Sequence, residues 1–86
     1  MADTFELEIA TPERLVLREQ VTEAQVPLEN GYIGVLPEHA PLLSELGANT
    51  LSYTPQSGGS RQSLTVSGGW VEVYQNHVRV LADKAE

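Results

Sequence analysis

The sequence predicts an all-β protein: a small, flattened β-sandwich or barrel of many short, mainly antiparallel strands, with residues 1–86 forming a single domain. Three observations support this prediction. Apolar and polar residues alternate with a period of two along much of the chain, as in strands with one buried side. Turn-forming residues recur roughly every eight to twelve positions, without intervening helical patterns. Of the 86 residues, 41% are apolar and 20% are charged, which is sufficient for one core.

The first predicted strand is TFELEI, in which Phe5, Leu7 and Ile9 share one face and a Thr-Pro pair follows. The next segment, RLVLREQVTEAQVPL, alternates less regularly. Its short spacing of turn formers favours strands. A helix over residues 13–25, ended by Pro27, is the alternative.

The middle of the chain contains most of the turn signals. LEN followed by GYIGV predicts a turn and then a strand, because Asn30 and Gly31 can both adopt positive φ at low cost. A further strand, TLSYT, leads to PQSGGS, whose composition predicts a flexible hairpin tip. Since QSLTV resumes the alternation, we expect a strand on each side of that tip.

The last third alternates most regularly. Apolar residues at positions 64 and 66, then 71 and 73, then 78, 80 and 82 predict three successive strands. Gly68 and Gly69 predict a bend or bulge between the first two, and Gln75 with Asn76 predicts the final turn. The closing LADKAE is the only segment with a helical tendency.

Composition excludes several classes of protein. Twelve acidic against five basic residues give a net charge of -7, which repels nucleic acids. The chain has no cysteine, so disulfides and thiolate metal sites are excluded. The start MADTFELEI does not resemble a signal peptide, and no apolar run reaches the roughly eighteen residues that a membrane-spanning helix needs. We therefore expect a cytoplasmic protein that does not insert into a membrane.

The two histidines are the main candidates for catalysis or metal binding. His39 could act as a general base, but Glu38 beside it would point to the opposite side of an extended backbone. A ring bonded to the backbone of an ordered loop, or placed at an interface, is the favoured interpretation. His77 has no carboxylate at a characteristic spacing. We predict no catalytic residue, metal, cofactor or small-molecule substrate; an enzyme that uses His39 with a glutamate remains an alternative.

Trp70 and Tyr74 share one face of the predicted strand WVEVY. Such a pair could stack on a ligand, which makes a carbohydrate- or peptide-binding module the alternative function. Packing against the other sheet or against a partner is the commoner role. The preceding Gly68-Gly69 pair leads into a strand rather than a helix, so a structural bend is favoured over a phosphate loop.

The segment GYIGVLPEHAPLL contains two prolines, Pro37 and Pro41, which fix φ at two positions. A loop restricted in this way loses less entropy when it is held in one shape. The sequence therefore predicts a stiff, partly apolar loop suited to docking.

Three segments, FELEIATPERLVL, GYIGVLPEHAPLL and VSGGWVEVYQNHVRVLADKAE, together resemble the N-terminal β-sandwich domain of the epsilon subunit of bacterial F-type ATP synthase. The resemblance covers essentially all 86 residues. It implies a non-catalytic central-stalk subunit that binds the gamma subunit and the c-ring and rotates with both, coupling proton translocation to ATP synthesis. It also implies a peripheral location at the cytoplasmic face of the bacterial inner membrane, through the ATP synthase complex.

The resemblance also implies two sets of interface residues. The predicted c-ring set is Glu29, Asn30, Gly31, Tyr32 and Glu38, of which Glu29 or Glu38 is hypothesised to face a basic c-ring loop. The predicted gamma set is Thr11, His39, Pro41 and Leu42.

Two features depart from the family pattern. Glycine is usual where this chain has Glu38, so the sequence predicts either a backbone that avoids positive φ there or an added contact by Glu38. An exposed ion pair at that site is worth only about 0 to 1 kcal/mol. The family also continues into a C-terminal helical hairpin, whereas this chain ends at LADKAE. Inhibition and nucleotide binding by that hairpin are not assigned to these residues, and we expect no ATP binding.

Overall fold

A computed structural model describes residues 3–86. Within them the chain forms seven strands: β1 Phe5–Ala10, β2 Leu15–Leu28, β3 Gly31–Val35, β4 Leu42–Glu45, β5 Asn49–Pro55, β6 Gln62–Tyr74 and β7 His77–Ala85. The all-β prediction is confirmed. This part of the chain has no helix, and hence none with the length and apolarity to cross a bilayer.

Five of the strands close into a barrel-like ring in the order β1-β7-β6-β5-β2, because β2 pairs back with β1. The β1–β7 pair is parallel, and the other pairs between named strands are antiparallel. The remaining strands branch from the ring: β3 pairs with the second half of β2, and β4 pairs with the second half of β6. Strands β2 and β6 are longer than the others, with 14 and 13 residues, because each changes neighbours along its length.

Strand β2 occupies the segment for which a helix was the alternative, so the preferred strand assignment is confirmed. Its irregular alternation has a structural cause: the pairing with β5 shifts register between Val21 and Glu23. An extra residue at such a shift changes which later side chains point inward. Val21, Ala24 and Val26 are consequently all buried, although their spacing is not uniformly two.

The core lies inside the ring and is formed by alternate residues of its strands. Phe5, Leu7 and Ile9 are at most 1% exposed, as predicted from TFELEI. Other fully buried side chains are Leu51, Val21, Val26, Val35, Val66, Val71, Val73, Val78 and Val80. Burying one such side chain stabilises the fold by about 1.5 to 3 kcal/mol. In residues 3–86 no buried side-chain nitrogen or oxygen lacks a hydrogen-bond partner.

The segment predicted as two strands around Gly68 and Gly69 is one continuous strand with a bend. The register with β7 is the same on both sides, with Ser67 opposite Lys84 and Gly69 opposite Ala82, so no residue is inserted and there is no bulge. Both glycines have positive φ, 70° and 99°. Strand β6 pairs with β5 before this bend and with β4 after it.

The helix suggested for LADKAE is wrong, because this segment forms the end of β7. Ala82 and Ala85 are buried there, and the backbones of Thr65 and Glu86 exchange hydrogen bonds of 2.7 and 2.9 Å. Pairing with β6 supplies partners for the backbone that a short terminal helix would not retain.

The predicted turns are largely confirmed. Gln75 and Asn76 both have positive φ, 47° and 63°, as a tight two-residue hairpin requires. PQSGGS connects β5 to β6 as a hairpin tip. In the turn between β2 and β3, Gly31 has a φ of 132°, but Asn30 is not among the residues with positive φ, so that part of the prediction is wrong.

Candidate docking surface

The outer side of the sheet formed by β4, β6, β7, β1 and the start of β2 carries most of the exposed large apolar side chains. Cross-strand register aligns Trp70 with Leu81, Leu81 with Ala10, and Ala10 with Leu15. Seven large apolar side chains are exposed in residues 3–86, and five belong to this side. We call these five the outer face: Leu15, Leu43, Trp70, Tyr74 and Leu81. Each is 49% to 68% exposed.

Strand periodicity explains the outer face. In β6, Val71 and Val73 point into the core, so Trp70 and Tyr74 point outward, as the sequence predicts. The prediction that this pair packs against a second sheet is wrong, because both rings are half exposed. Leu81 follows the same alternation, since it lies between the buried Val80 and Ala82, although it is not among the residues predicted from the sequence.

Grooves at the two ends of the outer face contain predicted gamma-interface residues. Thr11 lies in a groove with Trp70 and Leu81. Pro41 and Leu42 lie in a second groove with Tyr74. The structure therefore does not bring Thr11 next to Pro41 and Leu42, but it places all three along the border of one face.

His39 precedes this second groove and is partly exposed. Its Nδ1 lies 2.7 Å from the carbonyl oxygen of Ala40, and the backbone N–H of His39 donates to Leu36 O at 3.2 Å. The interpretation of His39 as a ring bonded to the backbone of an ordered loop is confirmed.

Four of the predicted c-ring residues form one exposed tip at the turn from β2 to β3. Glu29 and Asn30 are the turn residues, Gly31 starts β3, and Tyr32 is held by a 2.8 Å hydrogen bond from its hydroxyl to Thr50 O. The Glu29 carboxylate raises the pKa of the Glu45 carboxyl, because it accepts a hydrogen bond from the protonated form and because its negative charge disfavours the ionised form. Negative charge is thus concentrated beside the tip.

Glu38 lies away from this tip, at the far end of β3. Its backbone N–H donates to Asn76 Oδ1 at 2.8 Å, and Asn76 Nδ2 donates to Thr4 O at 2.7 Å. The five predicted c-ring residues therefore do not form one patch. The option of a backbone that avoids positive φ is also wrong, because Glu38 has a φ of 64°.

This strained conformation leads to a first prediction. We expect Glu38→Gly to raise the free energy of unfolding by about 0.5 to 1 kcal/mol, because glycine adopts positive φ without the steric cost of a Cβ atom. Glu38→Ala is the matched control, since it removes the carboxylate and keeps the steric cost of a Cβ atom at positive φ. Urea unfolding of both variants measures the difference; equal stabilisation by alanine and glycine would assign the effect to charge instead.

The closed ring of strands, with a group of exposed large apolar side chains on one side, defines a small all-β domain. Residues 4–86 match the family described as ATP synthase, Delta/Epsilon chain, beta-sandwich domain. The chain belongs to this family, in agreement with the resemblance seen in the sequence.

Curated relatives match along the whole chain. The ATP synthase epsilon chain of Solibacter usitatus is 60% identical over 86 residues, and that of Koribacter versatilis is 45% identical over 86 residues. These matches cover 63% and 59% of the two relatives, so this chain spans about three-fifths of their length.

Solved structures share the fold. A chain of the mitochondrial ATP synthase of Euglena gracilis superposes with a TM-score of 0.91 at 20% identity, covering all of this chain and 54% of that one. A chain from the central stalk and c-ring of the Tetrahymena thermophila mitochondrial ATP synthase gives 0.80 at 16% identity, covering 94% and 64%.

Proposed function

We propose that this chain is a non-catalytic rotor subunit in the central stalk of an F-type ATP synthase, peripheral to the cytoplasmic face of the bacterial inner membrane. It binds the gamma subunit and the c-ring and couples proton translocation to ATP synthesis. The observation that carries the proposal is the outer face: five half-exposed apolar side chains on one side of a closed sheet. A concentration of exposed large apolar side chains on one side of a sheet marks a site of protein contact.

The gamma subunit is the proposed partner of the outer face. Trp70 and Tyr74 would be its anchors, because large aromatic side chains dominate the binding energy of protein interfaces. Thr11, His39, Pro41 and Leu42 would form the rim. The outer face lies on paired strands, and Pro41 restricts the adjoining loop, so little conformational entropy is lost on docking.

The tip formed by Glu29, Asn30, Gly31 and Tyr32 is the proposed contact with the c-ring. Its exposure and the nearby carboxylates of Glu29 and Glu45 suit a basic polar loop. Complementary charge of this kind speeds encounter and fixes register more than it adds affinity. Glu38, at the far end of β3, would contact the complex separately, from the side of His39 and Pro41.

The alternative, a carbohydrate- or peptide-binding module, also uses Trp70 and Tyr74 and also requires that they be exposed. The two rings lie four residues apart on one strand, about 13 Å at the usual rise per residue, with Glu72 between them. One sugar ring cannot stack on both across that distance. The spacing favours a broad contact with another protein.

Truncation of the Trp70 side chain tests the proposal. We expect Trp70→Ala to weaken binding to a purified gamma subunit by about 2 kcal/mol or more, roughly 30-fold, in calorimetric titration. Leu36→Ala is the matched control, because Leu36 is 63% exposed but lies outside the outer face; its effect should be under threefold.

The proposal would be contradicted if Trp70→Ala and Leu36→Ala lost the same affinity for gamma, or if the wild-type chain did not bind gamma. Binding of wild-type chain to an oligosaccharide, abolished in Trp70→Ala, would favour the alternative module.

A further inference from the structure

The fold brings together three side chains that can bind a metal ion: Glu6, Glu8 and His77. Their ligand atoms lie within 4.8 Å of one another. His77 Nε2 is 3.1 Å from Glu8 Oε1 and 3.4 Å from Glu6 Oε1. Sequence spacing gives no sign of these carboxylates, because both lie about 70 residues before His77 in the chain.

Strand pairing produces this cluster. Strand β1 runs parallel to β7 with Glu6 opposite His77, and Glu8 is two residues further along β1. Because side chains alternate, Glu6 and Glu8 point to the same side of the sheet as His77. All three positions are on ring strands with fixed neighbours, so the cluster is built on rigid elements rather than on a loop.

We propose that Glu6, Glu8 and His77 form a Zn²⁺ site with one imidazole nitrogen, two carboxylate oxygens and an open fourth position. Zinc binds such ligands at about 2.0 to 2.2 Å, which places tetrahedral ligand atoms roughly 3.3 to 3.6 Å apart. The 3.4 Å distance from His77 Nε2 to Glu6 lies in that range, and the 3.1 Å distance to Glu8 is slightly shorter. An imidazole ligand and only three protein donors disfavour Ca²⁺ and Mg²⁺, which take six or more oxygen ligands.

A hydrogen bond alone accounts for only part of this arrangement. A neutral imidazole nitrogen offers one proton or one lone pair, so two carboxylates must share a single hydrogen bond from it. Here two carboxylate oxygens converge on the same nitrogen, and a bound cation would satisfy all three atoms.

The surrounding arginines orient the carboxylates and leave the ligand atoms accessible. Arg18 Nε donates to Glu6 Oε2 at 3.0 Å, which fixes that carboxylate and leaves Oε1 directed at His77. Arg79 Nε is 3.7 Å from Glu8 Oε1, too far for a hydrogen bond, so it adds positive charge without occupying a lone pair. The charge of Arg79 should therefore weaken zinc binding.

Calorimetric titration of the 86-residue chain with ZnCl₂ tests the site. We expect one Zn²⁺ per chain, with affinity reduced at least tenfold in His77→Gln and less than twofold in His39→Gln, the matched histidine control. Glu8→Gln should behave like His77→Gln, whereas Glu13→Gln, which removes an exposed carboxylate in the turn between β1 and β2, should behave like wild type. Arg79→Gln should tighten binding by roughly threefold, because it removes a repulsive charge.

Nitrogen NMR of the histidine rings gives a second readout: Zn²⁺ should shift the Nε2 resonance of His77 and leave that of His39 unchanged. If His77→Gln proves unfolded without metal, the comparison of zinc affinity between Glu8→Gln and Glu13→Gln decides. The proposal is overturned by binding too weak to detect at 1 mM Zn²⁺, by equal losses in the two histidine variants, or by an unshifted His77 ring.

Discussion

Gly69→Ala should leave little folded protein under conditions in which the wild-type chain is fully folded. A Cβ atom at this position would lie 1.8 Å from the backbone oxygen of Leu81 and 2.9 Å from its carbonyl carbon. The φ of 99° adds a second cost, because side-chain-bearing residues rarely adopt it. Backbone atoms of a paired strand cannot move aside as a flexible side chain can. We expect a loss of about 4 kcal/mol or more, close to the whole stability of a small domain.

Gly59→Ala is the matched control, because Gly59 has a similar φ of 92° but open space around it. Its loss should be only about 1 to 2 kcal/mol, the cost of the left-handed conformation alone. Urea unfolding followed by Trp70 fluorescence measures both variants. If the two lose the same stability, the close approach of β6 to β7 does not restrict residue 69.

Asn76→Ala should lower the free energy of unfolding by about 2 to 4 kcal/mol. Asn76 is in the left-handed conformation, which alanine adopts at greater cost than asparagine. Its side chain also joins three segments, since Nδ2 donates to Thr4 O and Oδ1 accepts from the N–H of Glu38. Each lost bond costs about 0.5 to 1.5 kcal/mol.

Asn76→Gly separates the two contributions, because glycine keeps the backbone conformation and removes only the side-chain bonds. We expect it to lose about 1 to 2 kcal/mol and to increase amide exchange at residues 36–41 next to the outer face. Binding to gamma should weaken in parallel. The loop would have to become ordered when it binds, and the entropy lost in that step would lower the affinity. Wild-type stability and exchange in Asn76→Gly would contradict a role for the side chain.

The outer face shows how far a sequence can predict a surface. Trp70 and Tyr74 are placed by their alternation with Val71 and Val73, a local pattern that needs no knowledge of neighbouring strands. The sequence places Leu43 in a docking loop, because Pro37 and Pro41 obscure the start of the four-residue strand β4. Leu15 reaches the face only through pairing of β2 with β1.

By itself, the sequence determined the all-β class, the buried side of β1, the hairpin at Gln75 and Asn76, and the family. These follow from side-chain periodicity, from the φ preferences of particular residues and from recognisable segments, all of which are local. Only the tertiary structure decided that β1 lies parallel to β7, that His77 meets Glu6 and Glu8, and that LADKAE is a strand. Strand partners and register depend on contacts between residues about 70 positions apart, and the free energy of those contacts leaves no pattern in either segment alone.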